Sequence, residues 1–514
     1  MNTSAEQRSG GAARKVVGTL GVLVLAVVAA GGYVKHRYPT DPPEHFDSPA
    51  EHFKYGSIGT DVEVGLPLLV MKVLPQAFPE YLPRTADSTG ASKGIQPAQD
   101  YTVFGFVQEP GRPMPIGFSV RRDVVPRTGM NCAVCHTGNW KTRPDDTPPP
   151  LLGMGASNLD IGAFFTFLFT AARDSRFSGD YLLPFMEKED PSLNAVDRAM
   201  YSRLIIPGMK KALVKRGTMF AQFFSGVRPY FGHGRVDAFN PLKLSYLVAH
   251  YPGGIPDSEA IGTADFPALW NQKLRSGFGL NWDGNSPRAR DRNVGAAFGA
   301  GASPETIDLA AVDRVNEYLQ TLDAPAYPFS ITHDSMQLAR GSRVFQQTCA
   351  SCHAVGGAKL GKVEPWESVK TDPSRLHSYT PKFNQELLDM GAGHDWKITS
   401  MVKTNGYVNA PLDGIWARAP YLHNGSVPTL WDLLTPDDKR NGGKTTFWRG
   451  SGLYDTVNVG IRTDVSQMSN GRRATLFDVT LAGNSNKGHS GAYYGTALPV
   501  ADKRALIEYL KTLR

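Results

Sequence analysis

The stretches Cys132-Ala133-Val134-Cys135-His136 and Cys349-Ala350-Ser351-Cys352-His353 use all four cysteines of a 514-residue chain. In each, two thiols stand three residues apart and an imidazole follows the second at once. This is the C-x-x-C-H attachment sequence of c-type haem, in which the thiols add to the porphyrin vinyl groups and the adjacent histidine reaches the iron from one face. A redox dithiol, a zinc site assembled from two C-x-x-C pairs, and disulfides are the competing uses of such cysteines. A dithiol or a zinc site does not require a histidine in that place twice. The expected cofactors are therefore two covalently bound haem c groups, attached at Cys132, Cys135, Cys349 and Cys352, with His136 and His353 as metal ligands.

Working outward to the amino terminus, residues 16–34 (VVGTLGVLVLAVVAAGGYV) form a run of nineteen without a charge, close to the ~20 needed to cross a bilayer core. The run reads as one N-terminal transmembrane helix, although Val28-Ala29-Ala30 also resembles the small-residue site at which a signal peptide is cut. Haem is attached to C-x-x-C-H on the outer side of the bacterial plasma membrane. The expected location is the plasma membrane with the body facing the periplasm, and Pro39, Pro42 and Pro43 read as the linker between the two. With 41% hydrophobic and 20% charged residues, the remainder is neither disordered nor a multi-span membrane protein. Much of the +7 net charge sits in residues 1–37, where five basic residues face Glu6. No basic run follows, so no nucleic acid is expected as a partner.

An internal repeat supplies the domain plan. Glu317-Tyr318-Leu319-Gln320-Thr321-Leu322 recurs as Glu508-Tyr509-Leu510-Lys511-Thr512-Leu513, each copy ending a helical pattern (307–322 and 503–513) downstream of one C-x-x-C-H. Ile307, Ala311, Val315, Tyr318, Leu319 and Leu322 keep the i, i+3, i+4 spacing of a packed face. Met336, Ala339, Arg340, Gly341, Val344 and Phe345 form another amphipathic helix just before Cys349. Pro325 and Pro328 interrupt the chain between the two copies. The expected boundaries are 1–40 for the N-terminal membrane anchor or signal segment, 41–325 for a first haem c lobe and 326–514 for a second cytochrome c lobe. The expected fold class is mainly α: two cytochrome c-like haem lobes, preceded by the transmembrane helix. The 53 glycines and 37 prolines place much of the backbone in long irregular loops.

A further pair of segments bears on chemistry: Asn281-Trp282-Asp283-Gly284-Asn285-Ser286, and Pro420-Tyr421-Leu422-His423-Asn424-Gly425-Ser426. In these the chain resembles the bacterial dihaem cytochrome c peroxidase superfamily, which includes MauG-like enzymes and whose two lobes carry W-D-G and P-Y-x-H-[ND]-G-S segments. The second-lobe wording, with Gly483-Asn484-Ser485-Asn486-Lys487-Gly488-His489 and the Met130-Asn131 that precedes Cys132, is most similar to the dihaem rubber-oxygenase branch. That resemblance implies His489 as the far ligand of the second haem, with His423 beside it as a hydrogen-bonding group. By residue chemistry alone His489, His423, Met390 and Met401 all stay open for that position. His233, His250, His333, His377 and His394 read as structural or exposed.

A haem with one protein ligand can bind dioxygen or peroxide, whereas a haem with two relays electrons. Trp282 occupies the first-lobe position that resembles His423, and an indole cannot bind iron. It reads either as an aromatic stepping-stone between the haems or as a core side chain. The run 161–169, with Phe164, Phe165, Phe167 and Phe169, is too short for a bilayer and reads as a buried helix or as pocket lining. Dihaem peroxidases carry a distal glutamate after the W-D-G segment, but here Ser286-Pro287-Arg288-Ala289-Arg290 follows. Glu305, the first glutamate beyond, reads as part of a helix cap.

The functional expectation is a membrane-anchored periplasmic dihaem c-type cytochrome. It exchanges electrons with a redox partner protein or a small-molecule oxidant, and an open first haem acts as an oxidoreductase on oxygen or peroxide, Trp282 and His423 being the candidate catalytic residues. The alternative is a non-enzymatic electron carrier with both haems six-coordinate. If residues 16–34 hold the chain in the bilayer, it stays with membranes through a high-salt wash and leaves with detergent; soluble mature protein starting near Gly31 would establish cleavage instead.

Overall fold

Asp160, Asp308 and Asp334 each open a helix. Their carboxylates accept from the amides of Ala163, of Ala311, and of Met336 and Gln337, satisfying donors that a helix start otherwise leaves unpaired. The computed structural model describes residues 39–514 apart from 63, 84–99, 225, 227, 467 and 469–472. In it these caps begin α1 (Ile161–Arg173), α2 (Leu309–Thr321) and α3 (Ser335–Thr348), and Pro499 precedes α4 (Val500–Leu510). The cap of α2 is thus Asp308 and not Glu305, whose carboxylate accepts from Ser303.

Helix α3 crosses α4 at Gly341, where a Cβ would stand 2.1 Å from the Ala505 carbonyl oxygen. The crossing is completed by the Phe345 and Tyr509 rings at 5.4 Å and the Arg340–Asp502 ion pair at 2.6 Å. Cys349 caps the end of α3, so the second C-x-x-C-H continues directly from that helix into the short turn Ala350–His353. The first motif is introduced differently. Strands Phe118–Asp123 and Val125–Met130 pair antiparallel, Leu66–Pro67 adds to the second of them, and the chain passes from Met130 through Asn131 into Cys132.

The structure corrects the expectation of a mainly α fold: the chain is mixed, 41% helical and 11% strand. Apart from the three-stranded sheet, the strands among the described residues pair into five two-stranded antiparallel ribbons. Strands of two to six residues show little of the alternation that announces a strand in sequence; Phe118–Asp123 and Val125–Met130 do not alternate in burial at all. No helix among the described residues is long and apolar enough to cross a membrane. The expected transmembrane helix falls on residues 16–34, outside those described.

Three buried ion pairs tie the chain before residue 325 to the chain after it. Asp265 meets Arg449 at 2.8 Å, Asp283 meets Arg375 at 3.0 Å and Arg275 meets Asp413 at 2.9 Å. Removing one member of such a pair strands the other charge in the interior. Arg449→Met is accordingly expected to cost about 3–5 kcal/mol in urea unfolding, while the double variant Asp265→Asn/Arg449→Met recovers much of that loss. Equal destabilisation by the single and double variants would show that the pair does not matter.

Candidate haem centres

The two C-x-x-C-H segments, 217 residues apart in sequence, open onto one cavity of about 930 Å³. Cys132, Cys135, Cys349, Cys352, His136, His353, His423, His489 and Trp282 all line it. At the first centre the Asn131 side chain accepts from Ala133 N at 2.9 Å and donates to Gly56 O at 2.9 Å, which pins the turn Cys132–Val134. The imidazole that follows is oriented by the chain: His136 Nδ1 lies 2.9 Å from Pro267 O. A carbonyl can only accept, so Nδ1 carries the proton and Nε2 keeps its lone pair. Burial holds this imidazole down at about 4, so it is neutral, the state in which histidine binds a metal.

The second centre repeats the device. His353 Nδ1 donates to Ala410 O at 2.7 Å, and burial again lowers the pKa of the ring. Across from it stands His489, with ring centroids 6.4 Å apart. Two metal–imidazole bonds of about 2 Å, with about 1 Å from each nitrogen to its ring centre, give about 6 Å, so the separation suits two imidazoles on one metal ion. His489 holds a left-handed backbone (φ 47°), its amide donating to Val369 O at 2.7 Å. Its Nδ1 is buried with no hydrogen-bond partner, and burial, then the nearness of His353, holds the ring at about 3. The residues present therefore fit a porphyrin iron held from two faces.

The centres differ in what else faces them. Among the described residues no second histidine ring pairs with His136 as His489 pairs with His353. Cys135 instead packs against an apolar core cluster whose members include Phe164, Phe167 and Phe266. The run around 161–169 serves both readings made of it: Phe164, Phe165 and Phe169 line the cavity, and Phe167 is core. Trp282 lines the cavity with its indole N–H bonded to Asp265 O at 2.9 Å. Glu364, a glutamate on the cavity wall, is bound by Lys359 and Ser368 on the side of Tyr493 and Tyr494.

His423 does not face His353. It stacks on Tyr407, ring centroids 4.1 Å apart and 20° from parallel, with its Nε2 3.0 Å from the phenol oxygen. Tyr407 has its own acceptor in Asp372 O at 2.5 Å, so His423 Nε2–H is the donor to the phenol and its Nδ1 keeps the lone pair. Met401 lines the cavity with its sulfur 3.7 Å from the Tyr379 hydroxyl, which donates to Asn384 Oδ1, whereas Met390 packs against an apolar cluster without lining the cavity itself. His233 is buried against Thr475, His250 pairs with Glu386 and His394 stacks on Trp396. Sequence reasoning missed Tyr407, Asp413 and the buried arginines of the wall. It also missed the Pro267 and Ala410 carbonyls, which leave no mark in a side-chain pattern.

The competing uses of the cysteines find no support in this geometry. None of the four is paired in a disulfide, and burial raises the thiol pKa of Cys132 to about 11 and of Cys135 and Cys349 to about 12, the reverse of an activated redox dithiol. Among the described residues no group of three or more His, Cys, Asp or Glu could hold a metal ion by itself.

Residues 406–448, which include Tyr407, Asp413 and His423, match a family described as RoxA-like, cytochrome c-like. Two relatives come from Sinorhizobium fredii (strain NBRC 101917 / NGR234). The uncharacterized protein y4iM is 32% identical over 293 residues, 48% of this chain and 64% of the relative, so less than two thirds of that relative is spanned. The uncharacterized protein y4iJ is 25% identical over 519 residues, 80% of this chain and 84% of the relative. The matched domain supports a relation to the dihaem cytochrome c family. A cytochrome c-like domain implies covalently bound haem c. Haem stain surviving denaturing electrophoresis should fall by about half in Cys135→Ser and in Cys352→Ser, one attachment site having been disturbed in each; full stain in the quadruple Cys→Ser variant would exclude thioether attachment.

Proposed function

We propose that the chain is a two-haem c-type cytochrome whose centres have different work: the second relays electrons and the first reacts with dioxygen or another small oxidant. The observation that carries this reading is the asymmetry of the imidazoles, His353 having His489 opposite it and His136 having no such partner among the described residues. Bound haem would supply reversible one-electron chemistry at both centres and a vacant metal position at the first. Cys132, Cys135 and His136 would hold the first haem. Cys349, Cys352, His353 and His489 would hold the second.

The residues around the first centre favour an apolar reactant. Phe164, Phe165 and Phe169 on the cavity wall exclude water and offer no partner to a polar substrate. Ordinary peroxidase work needs a positioned proton donor for the departing oxygen, and Glu364 is engaged with Lys359 and Ser368. Oxygen-dependent attack on an apolar molecule, in the manner of the rubber-oxygenase branch, fits this wall better than peroxide turnover. Residues 16–34 would direct export, with the haem-bearing body at the periplasmic face of the plasma membrane, where a redox partner protein supplies or accepts electrons.

Electron paramagnetic resonance of the oxidised protein is expected to show one high-spin and one low-spin haem, and carbon monoxide to bind one of the two reduced haems. His489→Ala should turn the low-spin signal high-spin and leave the other centre unchanged. Two low-spin haems and no carbon monoxide binding would make the chain a pure electron carrier, and rapid peroxide turnover would overturn the assignment of reaction type.

A further inference from the structure

The loops that orient the two axial imidazoles are fastened to each other through one side chain. Pro267, whose carbonyl accepts from His136, begins the stretch 267–275; Ala410, whose carbonyl accepts from His353, begins the stretch 410–418. Asp413 lies on the second stretch with a side chain only 3% exposed. Its carboxylate accepts from two groups of the first stretch, Asn271 Nδ2 at 2.9 Å and Arg275 Nη2 at 2.9 and 3.0 Å. From its own stretch it accepts Arg418 Nη2 at 2.6 Å, and its backbone carbonyl accepts the indole N–H of the fully buried Trp270 at 2.9 Å. One carboxylate therefore joins both stretches, its own residue lying three positions from Ala410 and its partner Asn271 four positions from Pro267.

We propose that Asp413 is a positioning residue for both axial histidines, setting the hydrogen bonds of His136 and His353 together. This rests on the haem reading given above. A ring N–H held by a carbonyl makes the imidazole a stronger donor to its metal and so favours the oxidised state. A loosened carbonyl weakens that donation and raises the reduction potential. Because Asp413 touches both stretches, a single substitution there reaches two centres whose attachment motifs lie far apart in sequence.

The test uses the full chain carrying its haem, with two readouts: the solvent exchange of each axial ring N–H, followed by proton NMR, and the two midpoint potentials. Asp413→Asn is expected to speed exchange at both His136 and His353 by about tenfold and to raise both potentials, with Asp413→Glu recovering part of each change. Asn271→Ala breaks one link without altering charge and is expected to speed exchange at His136. A response of Asp413→Asn confined to His353, or a rise in both potentials with unchanged exchange, would overturn the proposal, the latter being plain loss of a negative charge. Should Asp413→Asn fail to fold, unchanged His136 exchange in Asn271→Ala overturns it by itself. Wild-type protein without covalent haem absorption would overturn the haem reading and this proposal together, before any variant is compared.

Discussion

Buried charge that crosses from one part of the chain to the other is the constraint on which the cavity depends. Asp265–Arg449, Asp283–Arg375 and Arg275–Asp413 are each formed between a residue before position 325 and one after it. Ion pairs taken out of water seldom add net stability, since desolvation offsets their attraction. Burial indeed lifts the Asp265 carboxyl to about 6 in spite of Arg449. What such pairs do enforce is registration: sliding the two parts past one another would leave uncompensated charges in the interior, at a cost of several kcal/mol each. An apolar interface tolerates small slips; this one does not. The walls of a cavity lined by both C-x-x-C-H segments are thereby held in one relative position.

Within that frame, both imidazoles that follow the cysteine pairs are prepared in the same way. Each gives its Nδ1 proton to a main-chain carbonyl, and each is kept neutral chiefly by burial. Backbone carbonyls suit this task because they cannot donate in return, so the tautomer is decided without a titrating partner. The difference between the centres comes from elsewhere. His489 is brought opposite His353 by a strained left-handed residue anchored on Val369, and Gly488 before it lies against the backbone of Lys370 and Thr371, where a Cβ would collide at 2.3 Å. The loop contributes the imidazole only because glycine can pass there.

The chemistry-bearing residues were more legible in the sequence than the architecture. Two cysteine pairs each followed by histidine admit few readings, and the helical periods of 307–322 and 335–348 are long enough to show. The ribbons were invisible because strands of two to four residues are too short for alternation to stand out in sequence, and so a mixed fold read as mainly helical. The partner of His423 was equally hidden: Tyr407 sits in a three-residue strand, and nothing in the spacing of 407 and 423 announces that their rings stack. Interactions made through main-chain atoms, such as Pro267 O and Ala410 O, lie beyond any reading of side-chain pattern.

A last consequence of the seam concerns Trp282 and His423. The Trp282 indole donates to Asp265 O, and Asp265 N–H donates to His423 O at 2.8 Å. His423 in turn stacks on Tyr407. Trp282 and His423, singled out by matching positions in two segments 141 residues apart, are thus joined through the backbone of the residue whose side chain makes the Asp265–Arg449 pair. The carboxylate that registers the two parts and the peptide that bridges their aromatic groups belong to one residue. A backbone displacement of Asp265 that breaks the ion pair also disturbs its hydrogen bonds to the Trp282 indole and the His423 carbonyl. The backbone therefore cannot loosen at this seam without also separating Trp282 from His423.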